Sequence, residues 1–151
     1  MVYYIQVATC PKVWKGIIYM DINYKWIEDP LPPNCPPDDA INPNNMAFYR
    51  LVASFPPRRE DFYSLRKIFP NKKPYNNQDE CIQRSCSLFS TYNACDFIRK
   101  TFSRHNTKKI VKITLPPTCG LIKKTCSKDN HYSWWMIKKF DPIPYCQEEN
   151  G

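Results

Sequence analysis

Apolar and polar residues alternate most regularly between residues 109 and 115. There the apolar residues Val111, Ile113 and Leu115 share one side of an extended chain, and Lys112 and Thr114 face the other side. This period of two predicts a strand that ends at Pro116. Shorter runs of residues that favour β structure predict further strands at 47–53, 85–89, 121–122 and 132–137.

Two segments show the period of a helix instead. In Arg59–Phe69, apolar residues recur at i, i+3 and i+7 starting from Phe62, so we expect a helix there. A second helix should begin after Ser90 or Thr91, because either hydroxyl can accept a hydrogen bond from a free amide of the first turn. The apolar face predicted for this second helix consists of Ala94, Phe97, Ile98 and Phe102.

The order of these elements is strand, helix, strand, helix and then a run of strands. It predicts an α+β fold with one small mixed sheet and two main helices. Upstream, the apolar runs 2–7 and 13–20 favour strands, and the proline-rich stretch 29–39 excludes a helix or a central strand. We expect the region after this stretch to fold without the region before it. The predicted division is an N-terminal extension with a proline-rich linker (1–45), a single α+β domain (46–146) and a tail (147–151).

Glycine is scarce in this chain. Three glycines against fifteen prolines mean that most turns depend on Pro, Asn and Asp. The sequence contains neither G-x-G-x-x-G nor a P-loop, which excludes the two commonest nucleotide-binding signatures. We predict no metal site, because neither His105 nor His131 has a cysteine partner at zinc-finger spacing.

The net charge of +8 favours acidic partners such as nucleic acid, anionic lipid or a phosphate-bearing molecule. A merely soluble protein with a mixed surface is the alternative. No apolar stretch is long enough to span a membrane, and the first residues lack the features of a signal peptide, so we predict a cytoplasmic protein without membrane contact. In that compartment most of the eight cysteines should be reduced and buried, with disulfides as the alternative.

Arg50 is the first candidate for a ligand-binding residue. It lies in the middle of the predicted strand 47–53, where apolar or small residues are usual. The rigid fork of a guanidinium group suits a phosphate or a carboxylate, so Arg50 could clamp an anion in a cleft. The alternative is an arginine on the solvent face of an edge strand.

A second candidate is the run Ser87-Leu-Phe-Ser-Thr-x-x-Ala94, where a strand leads into a helix. The free amides at the start of that helix can bind an anion, and Ser87 can donate to it. Capping by Ser90 or Thr91 explains the other hydroxyls without a ligand, but it leaves Ser87 unexplained.

The third candidate is the aromatic segment 131–135. On a strand, His131 lies on the same face as Ser133, and Tyr132 lies on the same face as Trp134. A flat aromatic wall suits a nicotinamide, an adenine or another nucleobase. The alternative is an aromatic core strand.

Taken in order, these motifs resemble those of a group of small uncharacterised bacterial proteins. More remotely, they resemble the ADP-ribosyltransferase-like fold, in which an arginine or histidine on the first strand contacts the phosphates of NAD and a strand containing Ser or Thr leads into a helix beside the nicotinamide. The resemblance spans residues 46 to about 137 and rests on Phe48-Tyr-Arg-Leu-Val52, Asp61-Phe-Tyr-Ser64, Ser87–Ala94, Ile110–Pro116 and His131-Tyr-Ser-Trp134.

This resemblance implies roles for individual residues. It implies NAD as the cofactor, with Arg50 at the phosphates. The glutamate that often activates the acceptor in that fold has no counterpart here, because Glu148 lies too close to the end of the chain. The candidate catalytic residues are Ser87 and His131, and the candidate cofactor-binding residues are Arg50, Thr91, Tyr132 and Trp134.

Three functions stay open at this level. The first is an NAD-using transferase or NAD-cleaving domain of a bacterial toxin or defence system. The second is a basic module that binds nucleic acid or a partner protein without catalysis, and the third is a partner or immunity-like protein of a toxin system. Convergence of Arg50, Ser87 and His131 in one pocket would favour the first. A single stripe of lysines would favour the second, formed by Lys108, Lys109, Lys112, Lys123, Lys124, Lys138 and Lys139.

Overall fold

The computed structural model describes residues 26–73, 79–126 and 130–150. In this part of the chain six strands form one sheet, in the order β4-β5-β2-β1-β3-β6, and each neighbouring pair is antiparallel. The apolar runs predicted as strands at 2–7 and 13–20 lie outside the described residues. The strands are β1 (Met46–Val52), β2 (Cys86–Phe89), β3 (Lys109–Leu115), β4 (Gly120–Cys126), β5 (His131–Met136) and β6 (Cys146–Glu149).

In the residues that the structure describes, three α-helices and three short 3-10 helices accompany the sheet, so the predicted α+β class is confirmed. The prediction of a mixed sheet was wrong for the described strands, because the period-two pattern reports which side of a strand is buried and not the direction of its neighbour. The α-helices are α1 (Leu65–Ile68), α2 (Glu80–Gln83) and α3 (Tyr92–Thr101), and the 3-10 helices are Arg59–Phe62, Ser103–His105 and Ile143–Tyr145.

One face of the sheet carries the main hydrophobic core. Trp134 lies at its centre with no exposed surface, edge-on to Phe62 and Phe140 at centroid distances of 6.4 and 5.9 Å. Helix α3 packs on the opposite face, where Tyr92 meets Tyr49 edge-on at 6.2 Å. The sheet is therefore covered on both faces in its central part.

Helix α3 begins where the sequence predicted. The Thr91 hydroxyl accepts a hydrogen bond from the Ala94 amide at 3.1 Å and caps the helix. Its buried face was predicted about one position out of register, since Cys95 is fully buried and Phe97 is 65% exposed. The predicted face depended on large apolar residues, whereas the sheet surface beneath α3 accepts the small Cys95.

The helix predicted over Arg59–Phe69 is split in the structure into a 3-10 turn and α1. Competing hydrogen bonds explain the break. The Ser64 hydroxyl caps α1 by accepting from the Lys67 amide. The guanidinium of Arg50 binds the carbonyl of Asp61, which a continuous helix would need as a backbone acceptor.

The end of the chain belongs to the sheet. Strand β6 pairs with β3 from Ile113 opposite Cys146 to Ile110 opposite Glu149. Three residues of the predicted tail 147–151 are thus strand residues. Residue patterning did not indicate this strand, because the four residues of β6 include only one apolar side chain.

The proline-rich segment before β1 packs on the domain. Ile41 and Ile122 exchange backbone hydrogen bonds of 2.8 Å at the edge of β4, and the neighbouring Ala40 is fully buried. A disulfide joins Cys35 of this segment to Cys81 of α2. Independent folding of residues 46–146 stays a prediction, and a truncation at that point would remove these contacts.

The disulfide shows that not every cysteine is reduced. Cys86, Cys95 and Cys119 are free and buried. Burial raises the pKa of Cys95 and Cys119 to about 12, so almost no thiolate forms at neutral pH.

None of the helices in the described part of the chain combines the length and the apolar character that crossing a bilayer requires.

We predict that removing the disulfide destabilises the fold. The cross-link closes a loop with a sequence separation of 46 residues, and the chain entropy it removes from the unfolded state corresponds to roughly 2–4 kcal/mol. Urea unfolding of Cys35→Ser should therefore show a lower midpoint than wild type and a steeper slope, because the unfolded chain without the cross-link exposes more surface. Thiol titration of the unreduced, denatured protein should find no more than six of the eight thiols. A count of eight, with an unchanged midpoint, contradicts the cross-link.

Candidate functional site

The site begins with a gap in the sheet. Strand β1 pairs with β3 along all seven residues from Met46 to Val52, but between β1 and β2 the described residues include a single pair, Tyr49 opposite Phe89. Beyond that pair the two strands separate. The separation opens a cleft at the centre of the sheet.

The cleft has a volume of about 510 Å³, within the ~300–1,000 Å³ usual for ligand sites. Arg50, Ser87 and His131 line it together, which is the convergence that distinguishes the enzyme hypothesis from the others. Each comes from a different strand, β1, β2 and β5. The other lining residues are Leu51, Tyr63, Leu65, Ile68, Phe69, Lys72, Ser85, Phe89, Ile98, Arg104, His105 and Lys108.

Arg50 bridges the gap that it lines. Its Nη1 donates to the Ser87 carbonyl on β2 at 2.6 Å, in place of the missing backbone ladder. Its Nε donates to the Asp61 carbonyl at 2.6 Å, and Nη2 donates to the Tyr63 carbonyl at 3.4 Å. These three bonds leave further N–H groups of the guanidinium for a ligand. Arg50 is therefore both a brace across the split sheet and a cationic group in the cleft.

The charge of the cleft is one-sided. Among the described residues that line it, four are Lys or Arg and none is Asp or Glu. No ion pair involves any of these four cations in the part of the chain that the structure describes. Other basic residues do form ion pairs: Glu80 pairs with Arg66 and Arg84, Asp96 with Arg99 and Lys100, and Glu148 with Lys109.

Two side chains on the turn after α3 show the effect of this charge. Burial lowers the pKa of Lys108, and the nearby guanidiniums of Arg50 and Arg104 lower it further, against an opposing effect of Asp61. The pKa of His105 is lowered by burial first and then by Lys108, Arg104 and Arg50. The Nδ1 atom of His105 is buried without a hydrogen-bond partner in the described structure. Both groups lie in a region of positive potential.

A salt bridge network holds one wall of the cleft. Glu80 of α2 accepts from Nε and Nη2 of Arg66 at 2.8 and 2.9 Å. The other terminal nitrogen of Arg66 donates to the carbonyls of Pro70 and Lys72 at 2.8 and 2.7 Å. The segment that carries Phe69 and Lys72 along the cleft is thereby tied to α2.

His131 is held by a β-bulge. Strands β4 and β5 shift register between Lys124 and Cys126, so Thr125 is the extra residue of β4. Its hydroxyl lies 2.8 Å from Nδ1 of His131 and 3.0 Å from the hydroxyl of the buried Ser133. The bulge thus links the imidazole in the cleft to a hydroxyl in the interior.

Three predicted site residues lie outside the cleft lining. Trp134 is fully buried in the core, and its indole donates to the Cys119 carbonyl, so it cannot contact a cofactor. Tyr132 packs on Phe48 on that same face, at a centroid distance of 4.9 Å. Thr91 caps α3. Strand alternation explains the first two, because it turns them away from the face of His131.

The seven lysines considered for a nucleic-acid surface are dispersed. Lys123 lies on β4, at one edge of the sheet, and pairs with Asp39. Lys109 pairs with Glu148 of β6, the strand at the other edge. Of the seven, only Lys108 lines the cleft. The sequence analysis did not single out Arg104, His105 or Thr125 for the site. A basic cluster just after a helix was visible in the sequence, but its proximity to Arg50 depends on the fold.

We predict that Thr125→Val destabilises the protein by about 1–3 kcal/mol, because it removes the hydroxyl that bonds the buried Ser133 side chain and Nδ1 of His131. Thr125→Ser keeps the hydroxyl and is the matched control, with a cost below about 1 kcal/mol. The measurement is urea unfolding of both variants. Equal stability of Thr125→Val and Thr125→Ser would show that the hydroxyl contributes nothing.

No protein-family model, curated protein or solved structure matches this chain. A function for it therefore has to be argued from the charge, shape and hydrogen bonds of the cleft.

Proposed function

We propose that the cleft binds NAD or a closely related dinucleotide through its diphosphate, in the manner of an ADP-ribosyltransferase-like domain. The observation that carries the proposal is the set of unpaired cations around Arg50 in a cleft without acidic lining in its described part. An anion in this cleft would pair with cations that form no ion pair in the described part of the chain. Hydrogen bonds from a guanidinium to phosphate are among the strongest that a protein makes.

The shape of the cleft supports a nucleotide over a simple anion. Apolar and aromatic side chains, among them Phe69 and Phe89, line the same cleft as the cations. A flat base or nicotinamide ring packs well on such surfaces, and the phosphates then reach the cations. A phosphate ion alone would leave this apolar lining without a role.

The chemistry proposed for the site is limited to what the lining offers. His131 brings an imidazole whose Nδ1 is bonded to Thr125, which fixes the ring and makes it a candidate for proton transfer. Ser87 brings a hydroxyl on the facing strand. The carboxylate that would activate an acceptor is not among the described lining residues, and Glu148 lies on the edge strand β6 beside Lys109. The lining thus supports binding of NAD, and an activity measurement tests cleavage or transfer.

The proposal also includes the cytoplasmic location, since NAD is abundant there. The Cys35–Cys81 disulfide is the observation against this location, because disulfides persist mainly in oxidising compartments. Trapping the thiols of the protein in living cells decides between the two.

We predict that wild type binds NAD and that Arg50→Lys binds it at least about tenfold more weakly, since the charge remains but the fork is lost. Arg59→Lys is the matched control. Arg59 also donates to two carbonyls, those of Lys138 and Phe140, but it does not line the cleft. It should therefore lose stability as Arg50→Lys does and keep its affinity for NAD. The measurement is calorimetric titration at a temperature where all three proteins are folded.

Two results would reject the proposal. If wild type binds no dinucleotide, the cleft has another ligand. If short RNA binds equally to wild type and to both variants while NAD does not bind, the protein is the basic nucleic-acid-binding module, and Arg50 is a brace only. Release of nicotinamide from NAD, assayed on the same samples, distinguishes an enzyme from a binding protein.

A further inference from the structure

The turn after α3 carries a cluster of basic groups that the diphosphate of NAD does not account for. Arg104, His105 and Lys108 follow one another closely in sequence and line the same side of the cleft. Arg50 on β1 is near enough to influence two of them, as the lowered pKa values of His105 and Lys108 indicate. The turn is thus part of the cleft and distinct from the strand that holds Arg50.

The charges of the cleft exceed those of a dinucleotide diphosphate. Arg50, Lys72, Arg104 and Lys108 supply four positive charges in the lining. The diphosphate bridge of NAD carries about two negative charges, one on each phosphate. The surplus of about two matches a phosphate monoester, which carries about −1.5 to −2 at neutral pH.

The turn is built to hold its groups in place. The Arg99 guanidinium donates to the Lys108 carbonyl at 3.2 Å, and Arg99 is itself fixed by Asp96 at 2.6 Å. The Arg104 guanidinium lies over the Phe102 ring, 4.8 Å from its centroid. The Asp96 carboxylate thus pairs with Arg99 and Lys100 on the helix, while Arg104 and Lys108 stay without an ion pair in the described chain.

We propose that the turn formed by Arg104, His105 and Lys108 is a second anion subsite that takes a phosphate monoester. The proposal rests on the proposed function only for the position of the diphosphate at Arg50. The monoester has two chemical sources, a dinucleotide with an additional phosphate on its ribose and the phosphorylated end of a nucleic acid. Either would place a dianion where the cleft has its surplus of charge.

His105 contributes to the subsite an imidazole whose pKa responds to a bound anion. Its Nδ1 is buried without a hydrogen-bond partner in the described structure, so an anion bound in the cleft acts on the ring through its charge and not by contact with that atom. The charged groups around it are Arg104 and Lys108 on its own turn and Arg50 on β1, and all three disfavour the imidazolium. A bound dianion reverses that effect and raises the pKa of His105.

The chain contains two histidines, so imidazole NMR resolves the subsite from the rest of the cleft. Wild type, Lys108→Ala and Lys138→Ala are titrated with inorganic phosphate, and the pKa values of His105 and His131 are followed. Lys138 is the control for net charge, because it is exposed and does not line the cleft. Phosphate should raise the pKa of His105 in wild type and in Lys138→Ala, and it should have little effect in Lys108→Ala.

Two matched ligand pairs then identify the source of the monoester. Calorimetry compares NADP with NAD, and a 5′-phosphorylated oligonucleotide with its 5′-hydroxyl twin. In one pair the phosphorylated member should bind wild type about tenfold more tightly, a difference of ~1.4 kcal/mol, and Lys108→Ala should reduce that ratio to near one. The ligand pair that shows this ratio identifies the source of the phosphate monoester.

The outcomes separate this inference from the proposed function. If NAD binds in an Arg50-dependent way but phosphate leaves His105 unchanged and both ratios stay near one, the subsite is wrong and the dinucleotide proposal stands. If NAD does not bind but phosphate shifts His105 in a Lys108-dependent way, the subsite stands and the dinucleotide proposal is wrong. A ratio that persists in Lys108→Ala would place the monoester elsewhere in the cleft and overturn the assignment.

Discussion

The bridge that Arg50 makes across the divided sheet is the interaction on which the rest of the site depends. Strands β1 and β2 share a single described pair, so the sheet at this point is held by the bond from Arg50 to the Ser87 carbonyl and not by a backbone ladder. The same guanidinium binds the carbonyls of Asp61 and Tyr63, and this ends the helix that the sequence would otherwise form there. A single partly buried cation thus bridges the two strands at the cleft and directs the path of the chain along one of its walls.

The sequence was sufficient to predict the elements whose signals are local. Strand β3 and the Thr91 cap of α3 follow from alternation and from one hydroxyl, and the structure agrees. The split of the segment 59–69 and the sheet position of β6 depend on partners far along the chain. Arg50 lies eleven residues from Asp61, and β6 is stabilised by β3. No periodicity within either segment reports such a partner.

In the candidate site, too, some residues were predicted from local sequence signals and others depend on the fold. Arg50 was singled out because arginine is unusual in the middle of a strand, Ser87 because helix capping left it unexplained, and His131 because it shares a strand face with Ser133. All three line the cleft. Trp134 was assigned to the cofactor on chemistry alone, although its own alternation with His131 already placed it on the other face. Thr125 could not be found from the sequence, because a β-bulge is visible only once the register of both strands is known.

The unneutralised cations of the cleft also affect the folded state as a whole. Like charges held in one cleft repel each other, and unfolding relieves that repulsion. Dissolved ions screen such charges over a Debye length of about 8 Å at physiological ionic strength. The folded state should therefore gain stability as ionic strength rises, whereas a fold that depends on surface ion pairs loses it. The dependence of unfolding on simple salt thus reports how much like charge the chain gathers in this cleft, and it needs no knowledge of the ligand.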